Sequence, residues 1–239
     1  MTITTAQWFN DPGDNTLLYD ASELRVMDSM YSFYGGSPIG SRSGVRPGGN
    51  ALEVTYSDTT WSIAPGIGVI SAVSSGTNGE YRFGVTAAEA GTIPAHDATN
   101  PRKDILVLRL RDLDNGDAES SVVAEYITGT PNATPTAPSV PAKSLLLATF
   151  TVPVSGSVSM VDERVYTVAS GGILPTKTRP ANPAIGAAIF NLTSGIVEFW
   201  NGTEWLPMSG GSPVAHVRTI AGSATWAKPA NAKYVHVRL

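Results

Sequence analysis

The sequence predicts an all-β, modular protein with one short helix, and three observations carry that prediction. Its 24 glycines and 17 prolines are spread along most of the 239 residues, which leaves little room for long helices. Its apolar residues alternate with polar ones in short runs bounded by Gly, Pro, Asn and Asp. Hydrophobic content of 42% suffices for a packed core, but only 15% of residues are charged, against about 25% in an ordinary soluble domain. A sparsely charged, β-rich surface implies that other protein covers part of it.

The first element is the helix. Asp20-Ala21-Ser22-Glu23 has capping-box spacing with Asp at the cap, and Leu24, Met27, Met30 and Tyr31 follow with helical period, so a helix is expected over roughly 21–33, stopped by Gly35-Gly36. A loop from Gly44 to Gly49 leads into Leu52–Tyr56, which alternates cleanly. Trp61–Ala64 and Val69–Val73 are two more strands joined by Pro65-Gly66, and Tyr81–Val85 is another. The strongest strand is Asp104–Arg111: Leu106, Leu108 and Leu110 face one side, while Ile105 and Val107 give way to Arg109 and Arg111 on the other. A polar tip from Asp112 to Asp117 and the run Val122–Ile127 complete a hairpin with it.

Pro131, Pro135, Pro138 and Pro141 then impose an extended, polyproline-like path, read as a strap across the domain because Ser144–Val152 at once resumes a buried strand. Arg164–Val168 is a last strand, ended by Gly171-Gly172. This places an N-terminal β-sandwich or barrel-like domain over 1–171. A small β-meander is expected over 172–208, and residues 209–239 form a linker and the first strands of a third β module, 215–219 and 234–239.

The meander decides the functional reading. Between Arg179 and Pro207, the turns Thr193-Ser194-Gly195 and Asn201-Gly202 separate runs that carry four aromatics, Phe190, Phe199, Trp200 and Trp205. So short a module rarely buries enough surface to fold without a staple or a partner, and the chain contains no cysteine to supply one. The four rings are therefore expected to pack against another copy or another module, with assembly preferred, and Trp226, further on, to pack in a tip or meet a glycan.

Little in the sequence points to catalysis, and no cofactor is expected. The histidines His96, His216 and His236 lack metal-ligand spacing, and with no plausible base no serine nucleophile can be assembled. The acidic residues Asp112, Asp114, Asp117 and Glu119 admit a calcium loop or a glycosidase pair as alternatives to a solvated turn. Gly116 stands fifth where an EF-hand needs it sixth, and all four carboxylates sit in one hairpin tip, so the turn is preferred. Asn132-Ala133-Thr134, Asn191-Leu192-Thr193 and Asn201-Gly202-Thr203 match a glycosylation sequon without a secretion signal, and the last two serve turns.

Charge divides unevenly: residues 1–169 carry 10 Lys/Arg against 18 Asp/Glu (−8), and residues 170–239 carry 6 against 2 (+4), which sum to the net −4. The cations of the second part are scattered, so nucleic-acid binding is not expected. No run approaches a membrane span, and neither membrane insertion nor a signal peptide is expected at the N-terminus, so synthesis falls in a cytoplasm.

Several segments in this order carry a family resemblance. Ser43-Gly44-Val45-Arg46-Pro47-Gly48, Trp61-Ser62-Ile63-Ala64-Pro65-Gly66, Pro101 to Arg109, and Gly129-Thr130-Pro131 with Pro138-Ser139-Val140-Pro141-Ala142 come first. Thr178-Arg179-Pro180 with Phe199-Trp200-Asn201-Gly202-Thr203-Glu204-Trp205 follows, then Gly222 to Pro229 and Tyr234 to Leu239. Together they resemble the minor tail proteins of long-tailed bacteriophages, baseplate or tail-fibre proteins. The resemblance covers most of residues 40–239 and includes no catalytic group. It implies a virion protein without enzymatic activity, docked by its N-terminal domain on other tail-tip or baseplate proteins. It further implies a homotrimer with a distal end directed at a host cell-surface receptor, such as a glycan. The alternatives are a carbohydrate-binding module with Trp200, Trp205 and Trp226 as platform, and a polysaccharide-degrading tail enzyme.

Overall fold

The computed structural model describes residues 21–208 apart from 38, 73–78, 114 and 115. Residues 1–208 form one compact unit and residues 209–239 a second, and every described residue lies in the first. The strands expected at 215–219 and 234–239, and Trp226, lie outside the described residues.

The fold is all-β with one short helix, α1 (Ala21–Asp28), followed by a single 3-10 turn. The strands, in chain order, are β1 (Gly44–Val45), β2 (Val54–Tyr56), β3 (Thr60–Ile63), β4 (Gly66–Ser71), β5 (Glu80–Val85), β6 (Glu89–Thr92) and β7 (Arg102–Arg111). They continue with β8 (Ser121–Ile127), β9 (Ser144–Val152), β10 (Ser159–Asp162), β11 (Ile173–Thr176), β12 (Ala188–Asn191), β13 (Ile196–Trp200) and β14 (Trp205–Pro207). They make four open sheets, ordered β1-β4-β5, β2-β3-β6, β10-β9-β7-β8 and β11-β12-β13-β14. No sheet closes on itself, so of the two expected forms the barrel falls and a sandwich-like packing of layers remains.

One hydrophobic core joins the first three sheets. Leu106, Leu108 and Leu110 of β7 and Phe150 of β9 pack in one cluster with Val45, Ile63 and Ile70 from the other two sheets. The β7 pattern works as its sequence implies. Ile105 and Val107 are also buried, whereas Arg109 and Arg111 are half-exposed and pair with Glu125 (3.3 Å) and Glu119 (2.7 Å). Between Leu106 and Val107 the register against β9 shifts, so Leu147 enters as an extra residue, fully buried. β7 and β8 form the expected antiparallel hairpin.

Three expectations change in the structure. The helix stops at Asp28 because Phe33 is drawn into the interior in extended form: its N–H donates to Val168 (2.9 Å), its carbonyl accepts from Arg42 (2.8 Å), and its ring is buried. Arg164–Val168 is no sheet strand but an extended segment with one parallel bridge, Val45 to Tyr166, since β1 is only two residues long. β6, β10 and β11 go unread in the sequence because their alternation is weak. In β6 the decisive residue is Gly91, where a Cβ would lie 2.3 Å from the Trp61 ring that crosses it.

The proline-rich run is a strap pinned to the start of β7. Asn132 N–H donates to the Pro101 carbonyl (2.9 Å), and Gly129 N–H donates to the buried Asp104 carboxylate (2.9 Å). Gly129 lies so close to β7 that a Cβ would fall 1.9 Å from the Lys103 carbonyl oxygen. Asp104 is also held by Arg102 Nε (3.1 and 3.0 Å) and by the Tyr126 hydroxyl (2.8 Å), and Arg102 donates onward to the carbonyls of Ala95 (2.6 Å) and Pro94 (2.5 Å). Burial and the neighbouring Asp104 push the Tyr126 phenol well above its ordinary value, so it remains a hydrogen-bond donor. A buried charge pair with this many partners is a fixed anchor.

Candidate functional site

The sheet β11-β12-β13-β14 has two faces of different character, set by period-two alternation and by register. Leu174 lies beside Ile189, and Ile189 opposite Glu198; all three are buried. Leu174, Ile189 and Phe33 form a second small core, against which Tyr166, Val168, Ala187 and Trp205 pack. This face is thus used within the chain.

Glu198 is the one charged residue on that face, and Arg179 meets it with two hydrogen bonds, Nε to Oε2 (2.7 Å) and Nη2 to Oε1 (2.8 Å). The guanidinium holds the Glu198 carboxyl below the usual carboxylate range, and the carboxylate raises Arg179 in turn. Asn191 adds a weaker bond to Glu198 (3.4 Å).

The other face carries the alternate residues: Ile173 and Pro175 of β11, Ala188 and Phe190 of β12, Val197 and Phe199 of β13, and Leu206 of β14. Pro175 lies beside Phe190, Phe190 opposite Val197, and Phe199 between Ala188 and Leu206. All seven are apolar, and none is buried: Ile173 is 50% and Phe190 37% exposed, and the rest are half-buried. An uninterrupted apolar sheet face without a charge on it is a candidate contact surface.

The four aromatics predicted to act together therefore divide. Phe190 and Phe199 lie on the open face. Trp200 and Trp205 lie on the other, tilted against each other at 51° with centroids 5.7 Å apart, and Trp205 packs on the second core of its own chain. The register-neighbouring pair Ile173 and Pro175 completes the open face and was not read from sequence, because a proline inside a four-residue run argues against a strand. β11 is an edge strand, where proline is tolerated.

The turns of the sheet follow from asparagine chemistry. Asn191 Oδ1 accepts from the N–H groups of Thr193 (3.0 Å) and Ser194 (3.2 Å), and Asn201 Oδ1 from those of Thr203 and Glu204 (both 2.8 Å). Asn132 Oδ1 does the same for Thr134 (2.9 Å), so all three sequon-like triplets are side-chain-capped turns.

The acidic hairpin tip spends its carboxylates on internal cations. Asp112 faces Arg25 (3.8 Å) and accepts from the Tyr81 hydroxyl. Asp117 takes Lys143 Nζ (2.6 Å) and the Asp112 N–H (2.8 Å), and the lysine beside it lowers its carboxyl below the ordinary value. Glu119 pairs with Arg111 (2.7 Å), and Asp114 lies outside the described residues. His96 bonds through Nδ1 to the Pro153 carbonyl oxygen (2.5 Å), and His216 and His236 lie outside the described residues. Among the described residues no three His, Cys, Asp or Glu side chains converge on a possible metal position, and no helix is long and apolar enough to cross a membrane.

Comparison with protein-family models, with curated proteins and with solved structures finds no match to this chain.

Proposed function

We propose that the chain is a structural component of a bacteriophage tail tip, joining the baseplate to a distal receptor-binding end, and that its copies associate through the open face of β11–β14. One observation carries this reading: seven apolar side chains, Phe190 and Phe199 central among them, fill that face with no charge between them. The ordered segments that resemble minor tail proteins supply the setting, and the described carboxylates of the acidic tip, Asp112, Asp117 and Glu119, are each paired with a cation of the chain, which disfavours a glycosidase pair there. Trp200 and Trp205 are half-buried beside the second core, which weakens the alternative of a solvent-facing tryptophan platform for glycans.

Four strands about 4.8 Å apart and roughly four residues long present on the order of 250 Å². A standard interface takes about 800 Å² from each partner. This face alone is thus too small for a lasting contact, and a trimer, in which each chain meets two neighbours, requires further surface of the chain beside it. Sedimentation of the full chain over a concentration series tests the association, with a trimer expected; a folded monomer at about 50 micromolar would refute it. Labelled antibody against this chain, imaged on intact particles, tests the setting: the tail tip should be decorated, and decoration elsewhere or none would overturn the assignment.

A further inference from the structure

On the opposite part of the chain's chemistry from the apolar face is a small hydroxyl-rich hollow. An open cavity of about 310 Å³ lies in the bend of the single run that follows β8 and becomes the proline strap, lined by Thr128, Gly129, Thr130, Asn132, Thr134, Thr136 and Pro138. We propose that this hollow binds a neutral saccharide unit.

The argument rests on lining chemistry and on rigidity. No Lys, Arg, Asp or Glu lines the cavity, so it offers an anionic or cationic ligand no counter-charge. Four threonine hydroxyls do line it, each able to donate and accept, which is the pattern a sugar hydroxyl also needs. All four threonines and Asn132 are solvent-exposed, so their hydroxyls and the Asn132 amide nitrogen are open to an incoming ligand, while the Asn132 oxygen caps the turn at Thr134. The volume falls at the small end of the roughly 300–1,000 Å³ of ligand pockets, the size for one or two sugar rings.

The walls are fixed before a ligand arrives. Gly129 is tied to buried Asp104, Asn132 to the Pro101 carbonyl, and the prolines hold the backbone dihedrals of the strap. Binding then costs little ordering of the protein, which matters for a ligand held by few hydrogen bonds. The inference is independent of self-association, since a single chain contains the whole cavity.

The test is a titration of the full chain, labelled at threonine methyls, with glucose, galactose, mannose, rhamnose and N-acetylglucosamine and their disaccharides, followed by NMR. Saturable shifts centred on Thr128, Thr130, Thr134 and Thr136 are expected with at least one of these sugars. The double variant Thr130→Val, Thr134→Val keeps shape and removes two exposed hydroxyls, so the fold should survive while affinity falls about tenfold. The proposal is overturned by no saturable shift with any sugar, by equal binding to the valine variant, or by equal binding of glucuronate or inorganic phosphate. A failed titration leaves the oligomeric state untouched, and a monomer that binds sugar leaves this inference standing while the assembly reading falls.

Discussion

Phe190 and Ile189 are neighbours in β12 with opposite duties, and truncating each in turn separates assembly from folding. Phe190 is 37% exposed on the open face. With about 200 Å² for a whole phenylalanine, roughly 75 Å² remains to be covered by a partner, or about 2 kcal/mol at 25 cal/mol per Å². Phe190→Ala should therefore weaken each intersubunit contact about 30-fold. Within the single chain the rest of the residue, roughly 125 Å², is already covered beside Pro175 and Val197, so truncation also costs up to about 3 kcal/mol of folding stability by the same measure. Ile189, fully buried in the second core, should cost about 2–5 kcal/mol of folding stability when cut to alanine. Sedimentation equilibrium reads the first effect and urea unfolding under dissociating conditions reads the second. If Phe190→Ala associates like the parent protein, or if Ile189→Ala, under conditions where it is fully folded, weakens association as much as Phe190→Ala does, the assignment of the two faces is wrong.

Three further outcomes follow from the charge pairs. Asp104→Asn leaves the buried Arg102 guanidinium without its counter-ion and should cost about 3–5 kcal/mol in urea unfolding; a loss under about 1 kcal/mol would show the anchor to be dispensable. Glu198 has its carboxyl held low by Arg179, so the pair's contribution is complete above the unfolded glutamate value of about 4.3 and disappears as pH falls through the lower folded value. Stability should thus drop more steeply on acidification in the parent than in Glu198→Gln, and parallel curves down to about pH 3 would dismiss the pair. Arg25 lies over the Tyr81 ring (4.4 Å) and beside Asp112, while no residue of α1 is buried. Arg25→Ala should accordingly speed hydrogen exchange across residues 21–28 with a global loss under about 1 kcal/mol, and unchanged protection there would refute the latch.

Where alternation is clean, the chain could be read directly. The β7 leucines, the hairpin to β8, the whole of β9 and the turns at Gly195 and Gly202 follow from period two and from turn residues. The division of the meander rings could not be read, for a physical reason. Ile196-Val197-Glu198-Phe199-Trp200 is apolar at both parities, so sequence leaves open which parity faces inward, and only pairing with Ile189 decides it. Ile173 and Pro175 were hidden for another reason, since a proline inside so short a run argues against a strand. The cavity beside the strap was equally silent: its lining is one stretch, Thr128 to Pro138, and nothing in the order of those residues says that the stretch curves into a hollow.

The low charge content and the two candidate surfaces have a common explanation. The described acids Asp104, Asp112, Asp117, Asp162 and Glu198 each face an arginine or lysine of the same chain, as counter-ions that fasten the helix, hairpin tip, strap and terminal sheet. Short strands in four small sheets bury limited apolar area apiece, so such ties fix geometry that packing alone would leave loose. The two surfaces proposed for contact with other molecules are themselves neutral, an apolar sheet face and a hydroxyl-lined hollow. Neutral surfaces respond weakly to ionic strength. Association and saccharide binding should both persist in about 0.5 M NaCl, whereas contacts built on the scattered surface cations would fade there, and salt dependence therefore distinguishes these two surfaces from an electrostatic mode of attachment.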